Sequence, residues 1–325
     1  MTAILITGGA GFVGCHTVRE LARQGFYPLS FDNLSEGHRE AVVEGDLIVG
    51  DLSNEVLLES VFEEYKVDAV MHFASRCYVE ESVEDPRFYY EQNVGNALTL
   101  LRVMLRKGVK QFVFSSTCAI YGLPQKIPIS ENHPQIPINP YGETKLFIEK
   151  ILNRYEPAYG LRSVCLRYFN AAGASLDGQI GESHYPETHL IPRALKAVSG
   201  ELPSLQMFGG DFPTSDGSAV RDYIHVEDLA SAHVSALRWL KEGHEGKAFN
   251  LGTGHGHSVK QVLQMVEQVT GKRVPVEQCP RRDGDPPALV ADPRRANQLL
   301  KWKPHHSDLQ NMISSAWIWE QQRKY

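Results

Sequence analysis

The sequence predicts a doubly wound α/β fold, a parallel sheet with helices on both faces, joined to a smaller, interleaved C-terminal α/β region. Three observations predict it. Short apolar runs alternate with amphipathic stretches at helical spacing through the first half of the chain, a glycine string separates the first run from the first such stretch, and an aspartate closes the second run. Together they have the form of a Rossmann-like nucleotide-binding sheet.

Taken in order, the apolar runs give strands at 3–7, 27–32, 47–50, 68–73, 111–115 and 162–168, and helical periodicity fills 12–24, 55–65, 86–107 and 141–155 between them. Consecutive βαβ units with right-handed crossovers produce one parallel sheet. The stretch 123–140 carries Pro124, Pro128, Pro134, Pro137 and Pro140 and reads as a loop. After Asn170 the strict alternation fails, and 173–186 is an irregular excursion containing glycine. Helices are expected again near 190–198, at 226–240, at 259–269 behind a Ser258 cap, and at 308–321 behind Ser307. A buried strand at 248–251 among them returns the chain to the sheet. We therefore expect a nucleotide-binding part over 1–170 and a substrate-binding part over 171–325, interleaved by later segments.

Composition excludes several classes of function. The chain has 325 residues, 42% of them hydrophobic and 22% charged, with 33 basic against 39 acidic side chains for a net charge of −6. No basic run suits it to nucleic acid or to an anionic membrane, and no apolar stretch is long enough to span a bilayer. The first residues lack the basic start of a secretory signal, which makes a cytoplasmic location the expectation. Cys15, Cys77, Cys118, Cys165 and Cys279 are scattered and odd in number, as free thiols in a reducing compartment are. His255-Gly256-His257 and His305-His306 have no third ligand at a recognisable spacing, so no metal site is expected.

Gly8-Gly9-Ala10-Gly11-Phe12-Val13-Gly14 follows the first strand directly and opens the first helix. Gly8 permits the tight turn, Gly11 lets backbone approach a pyrophosphate, and Gly14 allows close helix packing, while the helix amino terminus contributes partial positive charge. Asp32 lies 18 residues beyond Gly14 at the end of the second strand, placed to accept from an adenosine ribose. An acid there repels a 2′-phosphate, which favours NAD over NADP. Asp51 and Leu52, past the third strand, are placed to flank the adenine.

Tyr141 and Lys145 are spaced to share one helix face. A nearby ammonium is expected to lower the tyrosine pKa, so that the phenol can exchange a proton with a substrate hydroxyl. Such a pair also arises by chance, and position supplies its specificity. Ser115-Ser116-Thr117 follows the fifth strand at the carboxyl edge where open α/β sheets bind ligands, which lets Thr117 bond the same hydroxyl.

These residues resemble the extended branch of the short-chain dehydrogenase/reductase superfamily and, within it, the UDP-glucose 4-epimerase family. The likeness runs through 8–14, Phe31-Asp32-Asn33-Leu34, His72-Phe73-Ala74, Asn93, Ser115-Ser116-Thr117, Asn139-Pro140-Tyr141-Gly142-Glu143-Thr144-Lys145, Arg167-Tyr168-Phe169-Asn170, Val220-Arg221-Asp222-Tyr223-Ile224-His225-Val226 and Arg281-Arg282-Asp283-Gly284-Asp285, nearly the whole chain. The resemblance implies a tightly held NAD that takes hydride from sugar carbon 4 while Tyr141 removes the hydroxyl proton. A 4-keto sugar then turns over and receives the hydride on its other face. It further implies that Thr117 orients the hydroxyl and that Lys145 holds the nicotinamide ribose. The cofactor would rest on Phe12, Val13, Asp32, Asn33, Gly37, Asp51, Leu52, Phe73, Ala74, Ser75, Asn93, Ser115 and Phe169. The nucleotide sugar would rest on Asn170, Leu190, Phe208, Arg221, Arg282, Asp285 and Leu289, the two guanidinium groups suiting a diphosphate.

The chain departs from that pattern in places. Cys77 stands where bacterial relatives carry a lysine that contacts the cofactor phosphates, with Arg76 beside it as a substitute. His189 and Glu36 stand where asparagines often contact the uridine nucleotide and the cofactor adenosine. Cys118 and Ala119 follow Thr117 where sister dehydratases and decarboxylases place acidic residues, which favours epimerisation. Leu289, smaller than the tyrosine of enzymes restricted to glucose and galactose, leaves N-acetylated UDP-hexoses as alternative substrates, with UDP-pentoses a further alternative. A non-catalytic NAD-binding sensor is the alternative from another class, and Tyr141, Lys145 and Thr117 together argue against it. By analogy a homodimer would form through the helices near 86–107 and 141–155.

Overall fold

Side chains two apart on a strand face the same way, so the alternation inside each apolar run decides what each face of the sheet buries. A computed structural model describes residues 3–282 and 284–325 of the chain. In it β1 (Ala3–Thr7) sends Ile4 and Ile6 to one face and Leu5 to the other. Around it lie α1 (Phe12–Arg23), β2 (Tyr27–Asp32), β3 (Asp46–Val49), α2 (Glu55–Tyr65) and β4 (Val67–His72). The first half continues with α3 (Val79–Glu84), α4 (Pro86–Tyr89), α5 (Asn96–Lys107), β5 (Gln111–Thr117), α6 (Pro140–Tyr159) and β6 (Arg162–Tyr168). The second half contributes β7 (Asn170–Ala172), α7 (Leu190–Ser199), β8 (Leu205–Phe208), β9 (Val220–Arg221), β10 (Tyr223–His225), α8 (Val226–Lys241) and β11 (Lys247–Leu251). It ends with β12 (His257–Ser258), α9 (Val259–Thr270), β13 (Val276–Cys279), β14 (Ala288–Leu289) and α10 (Leu309–Gln322).

Seven strands form the main sheet in the order β11-β6-β5-β4-β1-β2-β3, all parallel. The order reverses between β1 and β4, which opens a crevice above their carboxyl ends. One face buries Ile4, Ile6, Val113 and Leu166 against Val18 and Leu21 of α1 and Leu229 and Leu237 of α8. The other buries Leu5, Val70, Phe112 and Phe114 against Leu58 of α2, Leu100 and Met104 of α5, and Ile148 and Leu152 of α6. A third apolar cluster joins Leu195 of α7, Leu205 of β8, Val262 of α9 and Ile313 of α10. The short sheets β7–β10 and β12–β9–β14 run between these layers.

Three sequence expectations are corrected. The helix expected over 86–107 is preceded by the unexpected α3 and is interrupted by a π-helical segment over Tyr90–Gly95, where Asn93 is fully buried. The extra residue per turn re-aims side chains without ending the helix, so periodicity alone does not register it. α6 runs past Pro157 to Tyr159 and stops at Gly160, because the proline falls in the exposed last turn and forfeits a single ladder bond. The last helix is capped by Asp308, whose carboxylate accepts from Asn311 N–H, and not by Ser307. Ser307 instead accepts from His225 N–H and donates to Asp228. Ser258 caps α9 as expected, within a full capping box with Gln261.

Four histidines are sealed in this framework as neutral rings. His16 and His72 have pKa values pushed by burial down to about 3, and His225 and His233 to about 4. The unfolded chain takes up these protons below about 6.5 while the fold refuses them, so stability is complete above that pH and is lost as pH falls from 6.5 through 4 and 3. By pH 5.5 we expect the four rings together to remove about 5 kcal/mol. Denaturant unfolding at pH 5.5 and pH 7.5 measures this, and equal stabilities would contradict it.

Candidate active site

The glycine turn has the geometry its sequence calls for. Gly8 adopts φ of +74°, and a Cβ there would sit 2.5 Å from the backbone nitrogen of Ala74. A Cβ on Gly14 would overlap the carbonyl oxygen of Gly8, so this glycine sets how closely α1 approaches β1. Gly11 begins α1 with no side-chain cap, and no acid occupies the first turn. The unpaired amides therefore remain available to an anionic group. Phe12 and Val13 continue that turn, and Gly37 closes on it so tightly that a Cβ would lie 2.8 Å from the Ala10 carbonyl carbon. Asp32 is buried and accepts from Ala10 N–H at 3.0 Å and from Leu34 N–H at 2.8 Å. Burial raises its pKa against these two bonds. Across the ends of β2 and β3, Asn33 donates to Asp51 at 2.7 Å, and Leu52 enters the core behind them. Burial works against the Asp51 carboxylate, but donors from Ser53 and Asn33 prevail and lower its pKa. An uncapped helix start, a cradle too narrow for side chains and a carboxylate at the second strand suit a dinucleotide.

The opposite wall follows β4. Phe73 and Ala74 both donate backbone N–H to Thr7 O, which fixes this strand end beside Gly8, and Ser75 bonds onward to Arg76 O. Asn93 has no exposed surface, and its amide is committed to Arg76 N–H, Arg76 O and Thr144 Oγ1. It shapes this wall through Arg76. The Arg76 guanidinium pairs with Glu36, to which Tyr78 also donates, and lies 5.1 Å from the Phe88 ring centre, while Cys77 is exposed. Glu36, a departure noted in the sequence, and Arg76, beside the departure at Cys77, thus form one ion pair that ties together the two loops of the crevice.

Tyr141 and Lys145 occupy the first turns of α6, which Asn139 caps by accepting from Gly142 N–H at 2.8 Å. Lys145 Nζ donates to Ser115 O at 2.9 Å and lies 5.8 Å from the Tyr141 ring centre. Thr117, at the end of β5, accepts from Ala119 N–H. The Ser115 hydroxyl bonds the Tyr168 hydroxyl at 2.7 Å. One sequence expectation is reversed here. Burial raises the Tyr141 pKa well above its ordinary value, and the Thr117 hydroxyl only partly offsets it. Lys145 bears the opposite consequence, burial lowering it to about 8. The lysine is spent on the Ser115 carbonyl, so the phenol is neutral at rest.

The residues expected to face a nucleotide sugar gather on the second-half elements. Asn170 starts β7 and donates its N–H to Asp222 O. Leu190 starts α7. Arg221 donates to Val220 O and Pro286 O at 2.9 Å and pairs with Asp285 at 3.4 Å. Leu289, opposite Arg221 in the β9–β14 pair, packs with Cys118, Leu146 and Phe169, which brings it beside the Thr117 turn. Arg282 lies over the Phe208 ring at 4.0 Å and reaches Glu80 of α3 at 3.1 Å. Asp283 of the same string lies outside the described residues. Sequence reading missed a compact group on the turn before α7, formed by Glu182, His184, Glu187 and His189. Its signal in the sequence is the Glu-x-His-x-x-Glu-x-His spacing over 182–189.

With fold and site in place, comparison with known proteins gives the class. Residues 4–252 match the NAD dependent epimerase/dehydratase family, and the chain belongs to it. The chain is 48% identical over 323 residues to the UDP-glucose 4-epimerase of Halalkalibacterium halodurans, covering 99% of this chain and 97% of that one. It superposes with a TM-score of 0.96 on the UDP-glucose 4-epimerase of Brucella ovis, solved in complex with NAD, at 50% identity and 98% coverage of each. The UDP-glucose 4-epimerase of Bifidobacterium longum, in complex with NAD+ and UDP, matches with a TM-score of 0.94, 39% identity and 99% coverage of each.

The Lys145 environment makes a direct prediction. In cofactor-free protein this amine is expected to titrate at about 8, well below an ordinary lysine. NMR of isotope-labelled lysine with a Lys145→Met assignment control reads it, and a midpoint at 10 or above would contradict the burial argument.

Proposed function

We propose that the chain interconverts UDP-glucose and UDP-galactose by reversible oxidation at sugar carbon 4, with NAD held throughout the cycle. The observation that carries this reading is the convergence of Tyr141, Lys145 and Thr117 at the end of β5, beside the glycine cradle and the Leu289–Phe169 wall. Bound NAD supplies the hydride acceptor and a positively charged ring. The α1 start, Asp32, Asn33, Asp51 and the 73–76 segment are the residues to hold it. Thr117 orients the 4-hydroxyl by hydrogen bonding, and Tyr141 Oη takes that proton and returns it. Because burial keeps the phenol protonated at rest, a positive charge beside it is needed before it acts as a base. Lys145 keeps α6 in register through Ser115 O and adds positive charge nearby. Arg221 and Arg282 suit the diphosphate, exchanging Asp285 and Glu80 for phosphate oxygens.

The reading extends to organisation. A nucleotide-binding part over 1–170 and a sugar-binding part over 171–325 are interleaved by α8 and β11, which pack on and extend the first sheet. Exposed Leu98 on α5 and Phe147 and Tyr159 on α6 favour a homodimer through these helices. Free cysteines throughout suit the cytoplasm. No helix among the described residues is long and apolar enough to cross a membrane.

Proton NMR of UDP-galactose with purified protein and no added NAD tests the reaction. The UDP-glucose anomeric signal is expected, and its absence even with NAD added would overturn the proposal. Tyr141→Phe should keep bound NAD and lose at least about 10³-fold in kcat, the upper part of the range for a missing proton-transfer group. Unchanged turnover would remove Tyr141 from its role. At Leu289 the pocket wall is small, which favours turnover of UDP-N-acetylglucosamine as well. Leu289→Tyr should abolish that activity while the glucose–galactose activity falls less than about tenfold, one added ring being worth a few kcal/mol against the larger sugar alone.

A further inference from the structure

The turn between β7 and α7 folds back on itself so that Glu182, His184, Glu187 and His189 place one ligand-type atom each within 4.8 Å of one another. Both carboxylates are withdrawn from water, the Glu182 and Glu187 side chains being 6% and 4% exposed. Among the described residues, no lysine or arginine pairs with either acid. The two buried carboxylates are therefore contacted directly by two imidazoles alone among the described residues, with the Arg193 guanidinium bonded instead to the Glu187 carbonyl. That requires either two imidazolium ions or one divalent cation bound by neutral rings.

The distances favour the cation. Both histidines turn Nδ1 toward the acids. His184 Nδ1 lies 3.5 Å from Glu182 and 3.4 Å from Glu187, while His189 Nδ1 lies 2.7 Å from Glu182 and 3.4 Å from Glu187. Charged N–H···O bonds are about 2.7–2.9 Å long, and three of the four separations exceed that. A tetrahedron with metal–ligand bonds of about 2.0–2.1 Å has edges of roughly 3.4 Å. The orphaned atoms point the same way. Although the His189 side chain is 44% exposed, its Nδ1 is sealed from solvent and faces only Glu182, at 2.7 Å, and Glu187, at 3.4 Å, with neither contact aligned as a hydrogen bond among the described residues. Surrounding bonds hold the donors in place. Trp319 Nε1 donates to Glu182 O, His189 N–H to Glu187 Oε1 and Arg193 to Glu187 O, and the Tyr78 ring meets His184 edge-on. Such outer contacts orient metal ligands.

We propose that Glu182, His184, Glu187 and His189 bind one zinc-class divalent cation, which clips the turn leading into α7. Four protein ligands close the coordination sphere, so the cation has a structural role. This revises the expectation of a metal-free chain.

The test uses the full chain, dialysed against chelator, titrated calorimetrically with zinc(II) and, separately, followed by visible absorption with cobalt(II). One equivalent of zinc, proton release on binding and the intense absorption of tetrahedral cobalt are expected. His184→Gln and Glu187→Gln should each weaken binding at least tenfold. Less than a tenth of an equivalent bound, or binding that neither variant alters, would overturn the proposal. Should a variant fail to fold, imidazole nitrogen NMR of the wild-type chain decides: zinc must shift Nδ1 of two histidines, and two protonated rings unmoved by zinc would assign the group to ion pairing alone.

Discussion

The active-site geometry hangs on one ion pair buried beneath it. Arg167 of β6 binds Glu149 of α6 through two bonds, Nε–Oε1 at 3.0 Å and Nη2–Oε2 at 2.5 Å, with both side chains at or below 5% exposure. Ser116 of β5 donates to the same carboxylate at 2.5 Å, and Tyr121, which bonds Asn250 of β11, accepts from Arg167. Two strands, α6 and the sheet edge are thereby fixed to a single carboxylate. Leaving either partner alone in this interior costs about 3–5 kcal/mol, so the arrangement resists slippage. Glu149 lies one helical turn beyond Lys145, as Lys145 does beyond Tyr141. Anchoring the first sets the depth of the other two.

Above that anchor the site is electrically quiet. Tyr141 is held neutral by burial, the Lys145 ammonium is already bonded to Ser115 O with its pKa lowered to about 8, and the buried rings His72 and His233 are neutral. The arginines lie on the other side of the crevice with carboxylates for company. Further charge enters with ligands, and proton transfer is thereby coupled to occupancy.

The sheet, its helices and the cofactor cradle were legible in the sequence because each depends on local chemistry. Strand alternation, Gly8 at positive φ, Gly14 at a close approach and Asp32 at a strand end all act within some thirty residues. What escaped depends on distant partners. The π-helical turn that buries Asn93 is held by distant partners, the Arg76 N–H donating to its amide oxygen and Arg76 O and Thr144 Oγ1 accepting from its amide nitrogen, the Arg76–Glu36 pair joins loops 40 residues apart, and Ser307 loses its cap to Asp308 because Asp228 claims it. The reversed Tyr141 shift has the same origin. Spacing identifies a neighbouring lysine but says nothing of the walls that strip water from both groups.

Topology has a consequence for the order in which the molecule assembles. β6 finds its outer neighbour only in β11, some 80 residues further along, and α8 closes over α1 from more than 200 residues away. A nascent chain that has completed β6 still presents an open strand edge and an uncovered apolar face. The face waits for α8, which ends at Lys241, and the edge for β11, which ends at Leu251. Completing the sheet thus depends on long-range closure, and the interval before β11 docks leaves the half-built sheet exposed to aggregation.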